Sequence, residues 1–339
     1  MTLRAAALAL LLLWLAAPAG SAPDSAPASA LSDGRYAMGT VLEVTLYGPE
    51  IAVLEPLRDR IFARAEQLDG LLSRHREDSD VGRLNAAGGA WVAVAPEVAG
   101  LLRASIGHAT RTHGSFDVTV GPLVSLWTRA AEADRMPSDA DVAGARERVG
   151  AARIRVAPDD ARVSLEPGAS VDLGGIAKGY ALDRMLPLLR DAGVTSALLS
   201  FGQSSVWAVG APPDGPGWRL LARAPEGGFA GIVVLRDRAL SVSGSLGQWS
   251  EIEGQRFGHV LDPRSGWPLR RRREAIVVAP EAELAEVLSK ALLVLGEQEG
   301  IALVAEAPDC EALLLDADGR RWSTPGWLRA TAFEPVRAE

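Results

Sequence analysis

The stretch VDLGGIAKGYALD, residues 171–183, has the composition of a strand end, a glycine pair and the first turns of a helix that stops at Gly193. At such a junction, backbone N–H groups and the helix dipole point at one spot. Lys178, on the first helical turn, adds a positive charge. A pyrophosphate would satisfy all three features, whereas the plainer interpretation is a tight turn with a solvent-facing lysine.

The segments around this stretch alternate between strand and helix patterns. Apolar residues alternate with polar ones in GTVLEVTLYG (39–48), and helical spacing follows over 51–74 and again after Pro96. Short strands separated by Gly/Pro turns fill 196–244, and a long helix over about 281–295 precedes two closing strands. The strands form hairpin-like groups with helices inserted between them, which predicts an α+β fold with mostly antiparallel or mixed sheets.

The first 32 residues have the composition of an export signal and a linker. Arg4 precedes an apolar run over 5–17 that is too short to span a bilayer comfortably, and small residues follow it. We expect a signal peptide over 1–19, a disordered Ala/Ser/Pro-rich tether over 20–32 and one domain over 33–325. A short membrane anchor or a buried helix is the alternative for the leader. No Cys lies near the cleavage region, so we expect an exported, periplasmic protein without a lipid anchor or a stable membrane span.

Composition excludes several other classes of protein. The net charge of -8 argues against a nucleic-acid surface. A single cysteine, Cys310, excludes an internal disulfide and any Cys-based zinc or iron–sulfur site. The hydrolase G-x-S-x-G, Walker A and H-E-x-x-H patterns are absent. Among 35 basic residues only Lys178 and Lys290 are lysines.

Four further segments place polar, Gly or Pro residues between apolar elements. They are Met38-Gly39-Thr40, LDGLLSRHREDSDVGRLN (68–85), GSFDVTVGPLVSLW (114–127) and GHVLDPRSGWPL (258–269). An aromatic residue beside a carboxylate at 116–117 suits a flat heterocycle with donor groups, and His259 can stack on a base or move a proton. Taken singly, each segment is also explained by a strand start, a helix end, a bare turn or a hairpin.

Together and in this order, the five segments resemble the ApbE family of FAD:protein FMN transferases, over about residues 33–325. The resemblance implies a reaction in which a Thr or Ser hydroxyl of an acceptor protein attacks the FMN phosphorus of FAD and AMP leaves. His259 is the candidate for taking the proton or orienting the nucleotide. The residues implied to line the FAD site are Met38, His75, Ser115, Phe116, Asp117, Asp172, Lys178, His259 and Val260.

The resemblance also implies a Mg²⁺ site, and here the sequence departs from the family pattern. The family holds the metal through a backbone carbonyl, here that of Gly175, and through Asp and Thr four residues apart on the late helix. Glu286 and Lys290 stand at those two positions, and a protonated lysine cannot ligate a cation. The family's GG[ND] is Gly202-Gln203-Ser204 here, and its TSG is Val242-Ser243-Gly244.

Two interpretations of Glu286 and Lys290 remain open from the sequence. Either they form a surface ion pair four residues apart on the polar face of the helix, or Lys290 lies in the FAD site and replaces part of the metal's charge. The sequence accordingly supports a flavin transferase that acts on an acceptor protein, with a non-catalytic FAD-binding carrier as the alternative. Metal-independent hydrolysis of FAD to FMN and AMP is a third option.

The leader pattern generates a prediction about export. A chain truncated to begin after Ala30 should stay in the cytoplasm, because it lacks the charged and apolar regions that export requires. Fractionation and mass spectrometry of the full-length protein should find it cleaved near Ala19 or Ala22. An intact leader on a cytoplasmic protein would contradict this prediction.

Overall fold

The computed structural model describes residues 29–336. The predicted signal peptide and residues 20–28 of the predicted tether therefore lie outside the described residues. The last four residues of that tether belong to a strand, since the first hairpin begins at Ser29. The predicted domain boundary at 325 is also too early, because a helix and a short strand follow it and pack onto the fold.

The described residues contain helices and strands in mixed order along the chain. The helices are α1 Ile51–Leu72, α2 Asp80–Ala86, α3 Pro96–Arg111, α4 Gly121–Glu132, α5 Asp139–Arg146, α6 Ala177–Asp191, α7 Ala282–Glu306 and α8 Trp327–Thr331. The strands are β1 Ser29–Ala37, β2 Thr40–Gly48, β3 Val92–Ala93, β4 Ile154–Val156, β5 Arg162–Leu165, β6 Ser196–Phe201, β7 Ser205–Val209, β8 Trp218–Arg223, β9 Phe229–Leu235, β10 Arg238–Gly244, β11 Trp249–Ile252, β12 Gln255–Gly258, β13 Arg273–Ala279, β14 Glu311–Asp316, β15 Arg321–Ser323 and β16 Glu334–Pro335. No helix in this part of the chain is both long and apolar enough to cross a bilayer.

The main sheet has eight strands in the order β1-β2-β6-β7-β10-β13-β14-β15, and every neighbouring pair is antiparallel. Helices α1, α6 and α7 pack on one of its faces. A small sheet, β16-β9-β8, packs with α8 on the other face, where alternate residues of β7, β10, β13 and β14 form a shared core. The α+β prediction with mostly antiparallel sheet is confirmed.

Strand alternation decides which residues of the main sheet meet α7. Because successive side chains point to opposite faces, Val206 and Leu240 enter the core with the small sheet, while their neighbours face the helices. Those neighbours include Ser205 on β7 and Ser241 and Ser243 on β10. A row of small hydroxyl side chains therefore lies beneath α7, all of them buried.

The stretch 171–183 fixes the start of α7. The Asp183 carboxylate accepts hydrogen bonds of 2.9 Å from the backbone N–H groups of Ala282 and Glu283 and from Trp207 Nε1. Burial raises the pKa of Asp183 to about 6, so the carboxylate remains mainly ionised at neutral pH and can accept all three bonds. Gly179 permits the contact of the two helices, since a Cβ atom there would lie 2.3 Å from the Ala282 carbonyl oxygen.

Three local predictions were wrong or incomplete. Residues 171–173 form no strand, and only the adjacent Ser170 makes an isolated bridge, to Val120. Met38-Gly39 is the turn of the β1–β2 hairpin rather than a strand opening, with φ of 50° and 79°, as expected of a two-residue loop with left-handed residues. The late helix is interrupted at Gly296, at φ 80°, directly after the predicted end at about 295, and a further helical segment, absent from the prediction, continues to Glu306.

The Asp183 contacts generate a stability prediction. Replacing Asp183 with Ala should lower the free energy of unfolding by about 2–4 kcal/mol, the sum of a lost helix cap and an unsatisfied indole N–H. Denaturant unfolding measures this loss. Asp191→Ala, which removes an exposed carboxylate at the end of the same helix, is the matched control and should cost less than about 0.5 kcal/mol. Equal losses in the two variants would contradict the capping role.

Candidate functional site

A cavity of about 680 Å³ opens where the β1–β2 turn, the end of α1, the start of α6 and the ends of several sheet strands converge. Its volume lies in the range of sites that bind small organic ligands. The structure brings six of the nine predicted flavin-site residues onto its walls. These are Met38, His75, Asp172, Lys178, His259 and Val260.

Ser115, Phe116 and Asp117 do not line the cavity, so the expectation that they do is not met. Ser115 Oγ donates to the Thr112 carbonyl at 2.7 Å, and Asp117 accepts backbone N–H bonds from Thr119 and Ala151, each at 2.8 Å. Both side chains are therefore occupied in holding their own loop. Phe116 lies behind the glycine pair, with its Cε2 atom 3.3 Å from a Cβ built on Gly175. The three residues support the wall from behind.

The turn before α6 presents Lys178 to the cavity and uses part of its own hydrogen-bonding capacity internally. Lys178 Nζ donates to Ser204 Oγ at 3.2 Å, so the lysine is a wall residue rather than a solvent-facing one. The Gly174 N–H is taken by Asp172 Oδ1 at 2.8 Å. Asp172 Oδ2 in turn accepts from Arg74 at 2.6 Å. The positive charge predicted at this point is present, while one of the expected free amide groups is not.

His259 follows directly after β12, and a backbone carbonyl sets its tautomer. Its Nδ1 atom lies 3.0 Å from the Gln248 carbonyl oxygen, which accepts only if Nδ1 carries the proton. The Nε2 atom of the neutral ring is then a proton acceptor. Loss of hydration beside the surrounding protein lowers the pKa of His259 below its ordinary value. The positive charges of Lys290 and Lys178 lower it further. At neutral pH the imidazole is therefore a free base.

Glu286 and Lys290 form a pair in the interior, so the interpretation as a surface ion pair is wrong. The Glu286 side chain is fully buried, at 0% exposure, and its Oε1 atom accepts a hydrogen bond from Ser205. Lys290 Nζ lies 3.3 Å from Glu286 Oε2 and its side chain reaches the cavity. Burial lowers the pKa of Lys290 and Lys178 adds to this effect, while Glu286 opposes both.

These residues do not fit a Mg²⁺ ion. Magnesium requires several oxygen ligands in near-octahedral array. Of the two Glu286 oxygens, one is engaged by Ser205 and the other faces an ammonium. The stem of that lysine also passes the glycine pair, with Cε 4.0 Å from a Cβ built on Gly175. Within residues 29–336 no group of three or more His, Cys, Asp or Glu side chains is placed to hold a metal.

Sequence reasoning missed several residues of the cavity, among them Arg74, Arg223, Gln248 and Glu274. Glu274 stands opposite Gly244 in the β10–β13 register, and a Cβ on that glycine would lie 2.9 Å from Glu274 Oε2. Burial raises the pKa of Glu274 to about 7, although Arg223 and Arg272 oppose the shift. One signal was available, since Glu274 follows Arg273 at the start of a strand whose remaining residues are all apolar.

Known proteins resemble this chain over nearly its whole length. Residues 38–314 match the ApbE family. A FAD:protein FMN transferase of Klebsiella pneumoniae is 32% identical over 316 residues, 89% of each chain. The crystal structure of the ApbE protein from Thermotoga maritima superposes with a TM-score of 0.82 at 26% identity, over 89% of this chain and 99% of that one. The flavinyl transferase ApbE of Pseudomonas stutzeri gives 0.77 at 29% identity, over 91% and 98%.

The fold and the cavity thus define a member of a family of flavin transferase enzymes. The chain belongs to the ApbE family.

Glu274 generates a prediction about pH. Its carboxyl is neutral below about pH 7 and negative above it, so its ionisation should weaken the binding of an anionic ligand in the same cavity. FAD affinity, measured by calorimetry, should fall between pH 6 and pH 8. In Glu274→Gln the fall in affinity over this pH interval should be smaller than in the wild type by a factor of roughly three to ten, the effect of one like charge at close range.

Comparing the wild type with Glu274→Gln separates the effect of Glu274 on the pH profile from that of the other titrating groups in the cavity. The pKa of His259 is lowered, so its ring is already neutral over most of this interval, and Lys290 is common to both proteins. Identical pH profiles for the wild type and Glu274→Gln would show that Glu274 does not face the ligand.

Proposed function

We propose that this protein is a FAD:protein FMN transferase that modifies a Thr or Ser hydroxyl of an acceptor protein. Family membership and the names of the relatives support the reaction class. The observation that carries the proposal is that one cavity brings together Lys178 from the start of α6 and His259 from the end of β12. An ammonium for phosphate and a neutral imidazole for a proton are the two groups that the reaction needs from side chains.

The proposed reaction exchanges one P–O bond for another. The acceptor hydroxyl oxygen attacks the FMN phosphorus and forms a phosphoester, while the pyrophosphate bond to the AMP half breaks and AMP leaves with the bonding electrons. The hydroxyl proton passes to His259 Nε2, the nitrogen that carries no proton in the neutral ring because Nδ1–H donates to the Gln248 carbonyl. Lys178 neutralises charge on the phosphates and, through Ser204, is held in position for this. Met38 and Val260 supply apolar surface in the cavity for the flat rings.

A second function is favoured by one specific observation, the buried Glu286–Lys290 pair at the position where the family holds its metal. If transfer requires Mg²⁺, this chain would bind FAD without using it and would serve as a flavin carrier. Hydrolysis of FAD to FMN and AMP with water as the nucleophile is the third outcome. The three functions differ in their products.

We propose further that the protein acts after export, on an acceptor in the periplasm. The support is the charged and apolar leader pattern of residues 1–19. The acceptor is defined here by its chemistry alone, as a protein with an accessible Thr or Ser.

The function is tested by incubating the purified protein with FAD and a threonine-containing acceptor, with acceptor mass and AMP as readouts. Transfer gives equal amounts of flavinylated acceptor and AMP, hydrolysis gives AMP with an unchanged acceptor, and a carrier gives neither. His259→Asn should reduce transfer about 10²-fold or more, the usual effect of removing a general base. His113→Asn, at an exposed histidine outside the cavity, is the matched control. Full activity of His259→Asn would exclude the proposed proton acceptor.

A further inference from the structure

The two lysines of the chain meet in one cavity. Lys178 reaches it from α6 and Lys290 from α7, whereas every other basic residue of the sequence is an arginine. An ammonium is a compact point charge, and a guanidinium is a wide planar fork. The two compact side-chain cations of the chain thus both reach the proposed pyrophosphate site.

Lys290 is held in position by Glu286, whose one ion-pair partner among residues 29–336 is this lysine. Glu286 is fully buried, and Ser205 donates a hydrogen bond to its Oε1 atom. Its Oε2 atom accepts no hydrogen bond from the described residues, and the Lys290 ammonium lies 3.3 Å from it. A buried carboxylate requires a positive neighbour to offset its lost hydration. The pair therefore keeps the lysine charge at the cavity wall, and an ammonium with three N–H donors retains donors for a ligand oxygen beyond Glu286.

The other departures from the family pattern fall on the same cavity. Ser204 stands at the family's Asn or Asp position and accepts a hydrogen bond from Lys178. Val242, at the Thr position of the TSG segment, borders the cavity, and its side chain packs against the core shared with the small sheet. Both positions border the cavity that Lys290 enters.

We propose that the Lys290 ammonium, anchored by Glu286, takes the place of the family's divalent cation and binds the FAD pyrophosphate directly. FAD binding by this protein is then independent of divalent metal. The inference rests on the proposed function, since it assumes that FAD occupies this cavity. It differs from that function in what it predicts about metal, because an ordinary FMN transferase with a metal site would lose affinity when the metal is removed.

The test is calorimetric titration of the purified protein with FAD, in excess Mg²⁺ and in excess chelator. Wild-type affinity should agree within about twofold between the two conditions. Lys290→Thr should bind FAD at least tenfold more weakly in chelator, because the fixed charge is gone. Glu286→Asp combined with Lys290→Thr should regain affinity in Mg²⁺ but not in chelator, because a carboxylate and a hydroxyl then remain to recruit the cation.

Arg329→Thr is the matched control, since it removes one exposed positive charge on α8, outside the cavity. It should change neither affinity nor its response to Mg²⁺. Lys290→Met, which keeps the apolar stem without the charge, replaces Lys290→Thr if that variant does not fold, and it should show the same loss in chelator. Thermal unfolding without ligand verifies that each variant is folded.

Each outcome decides between the two ideas. A wild type that loses FAD affinity in chelator overturns the inference and leaves the transferase proposal intact. Unchanged affinity of both Lys290→Thr and Lys290→Met also overturns it. No FAD binding by the wild type in either condition removes the proposed function and this inference with it. Metal-independent binding by the wild type together with weakened lysine variants is the result that supports it.

Discussion

The Asp183 carboxylate joins the three parts of the molecule on which the cavity depends. It belongs to α6, bonds the first two amide groups of α7 and holds the indole of Trp207 on β7. Glu281 at the start of α7 makes no side-chain cap of its own, so the cap comes from another helix. The rotation of α7 about its axis is thereby set relative to the turn that carries Lys178. One buried carboxylate therefore links the helix that carries Lys178 to the helix that carries Lys290.

With α7 in this position, Glu286 and Ser289 on its inner face lie against the serine hydroxyls of the main sheet. Glu286 lies one turn after the cap and meets Ser205, while Ser289 meets the hydroxyls of Ser241 and Ser243 at 3.0 and 2.8 Å. Polar groups buried on both sides of a helix–sheet interface are tolerated because they satisfy one another. This explains how a helix with an extensive apolar surface carries a carboxylate and an ammonium inwards. The serine hydroxyls of β7 and β10 beneath α7 provide hydrogen bonds that water would otherwise provide.

Local patterns predicted the elements well, and distant contacts explain most of the errors. The alternation in 39–48 correctly predicted β2, and the helical spacing from 51 correctly predicted α1. Both elements have one apolar face and one polar face, which the spacing of apolar residues is enough to reveal. A surface position for Glu286 was one of the two interpretations because a helix pattern cannot reveal that Ser205 on β7 will donate a hydrogen bond to it. Asp117 was placed in the ligand site because a carboxylate in a motif looks the same whether it binds a ligand or two backbone amides.

The charges of the cavity show why the lysine and the metal exclude each other. A divalent cation and the Glu286 carboxylate together would carry one net positive charge, whereas the Lys290 ammonium and the same carboxylate carry none. The net positive charge that faces a pyrophosphate is therefore that of Lys178. Placing the cation and the ammonium together would add repulsion that a single carboxylate cannot offset. The substitution therefore trades electrostatic strength for a positive charge that is covalently attached to the fold. Breaking the pyrophosphate bond of FAD requires the transition-state charge to be neutralised more fully than binding requires. Binding and transfer thus make different demands on Lys290.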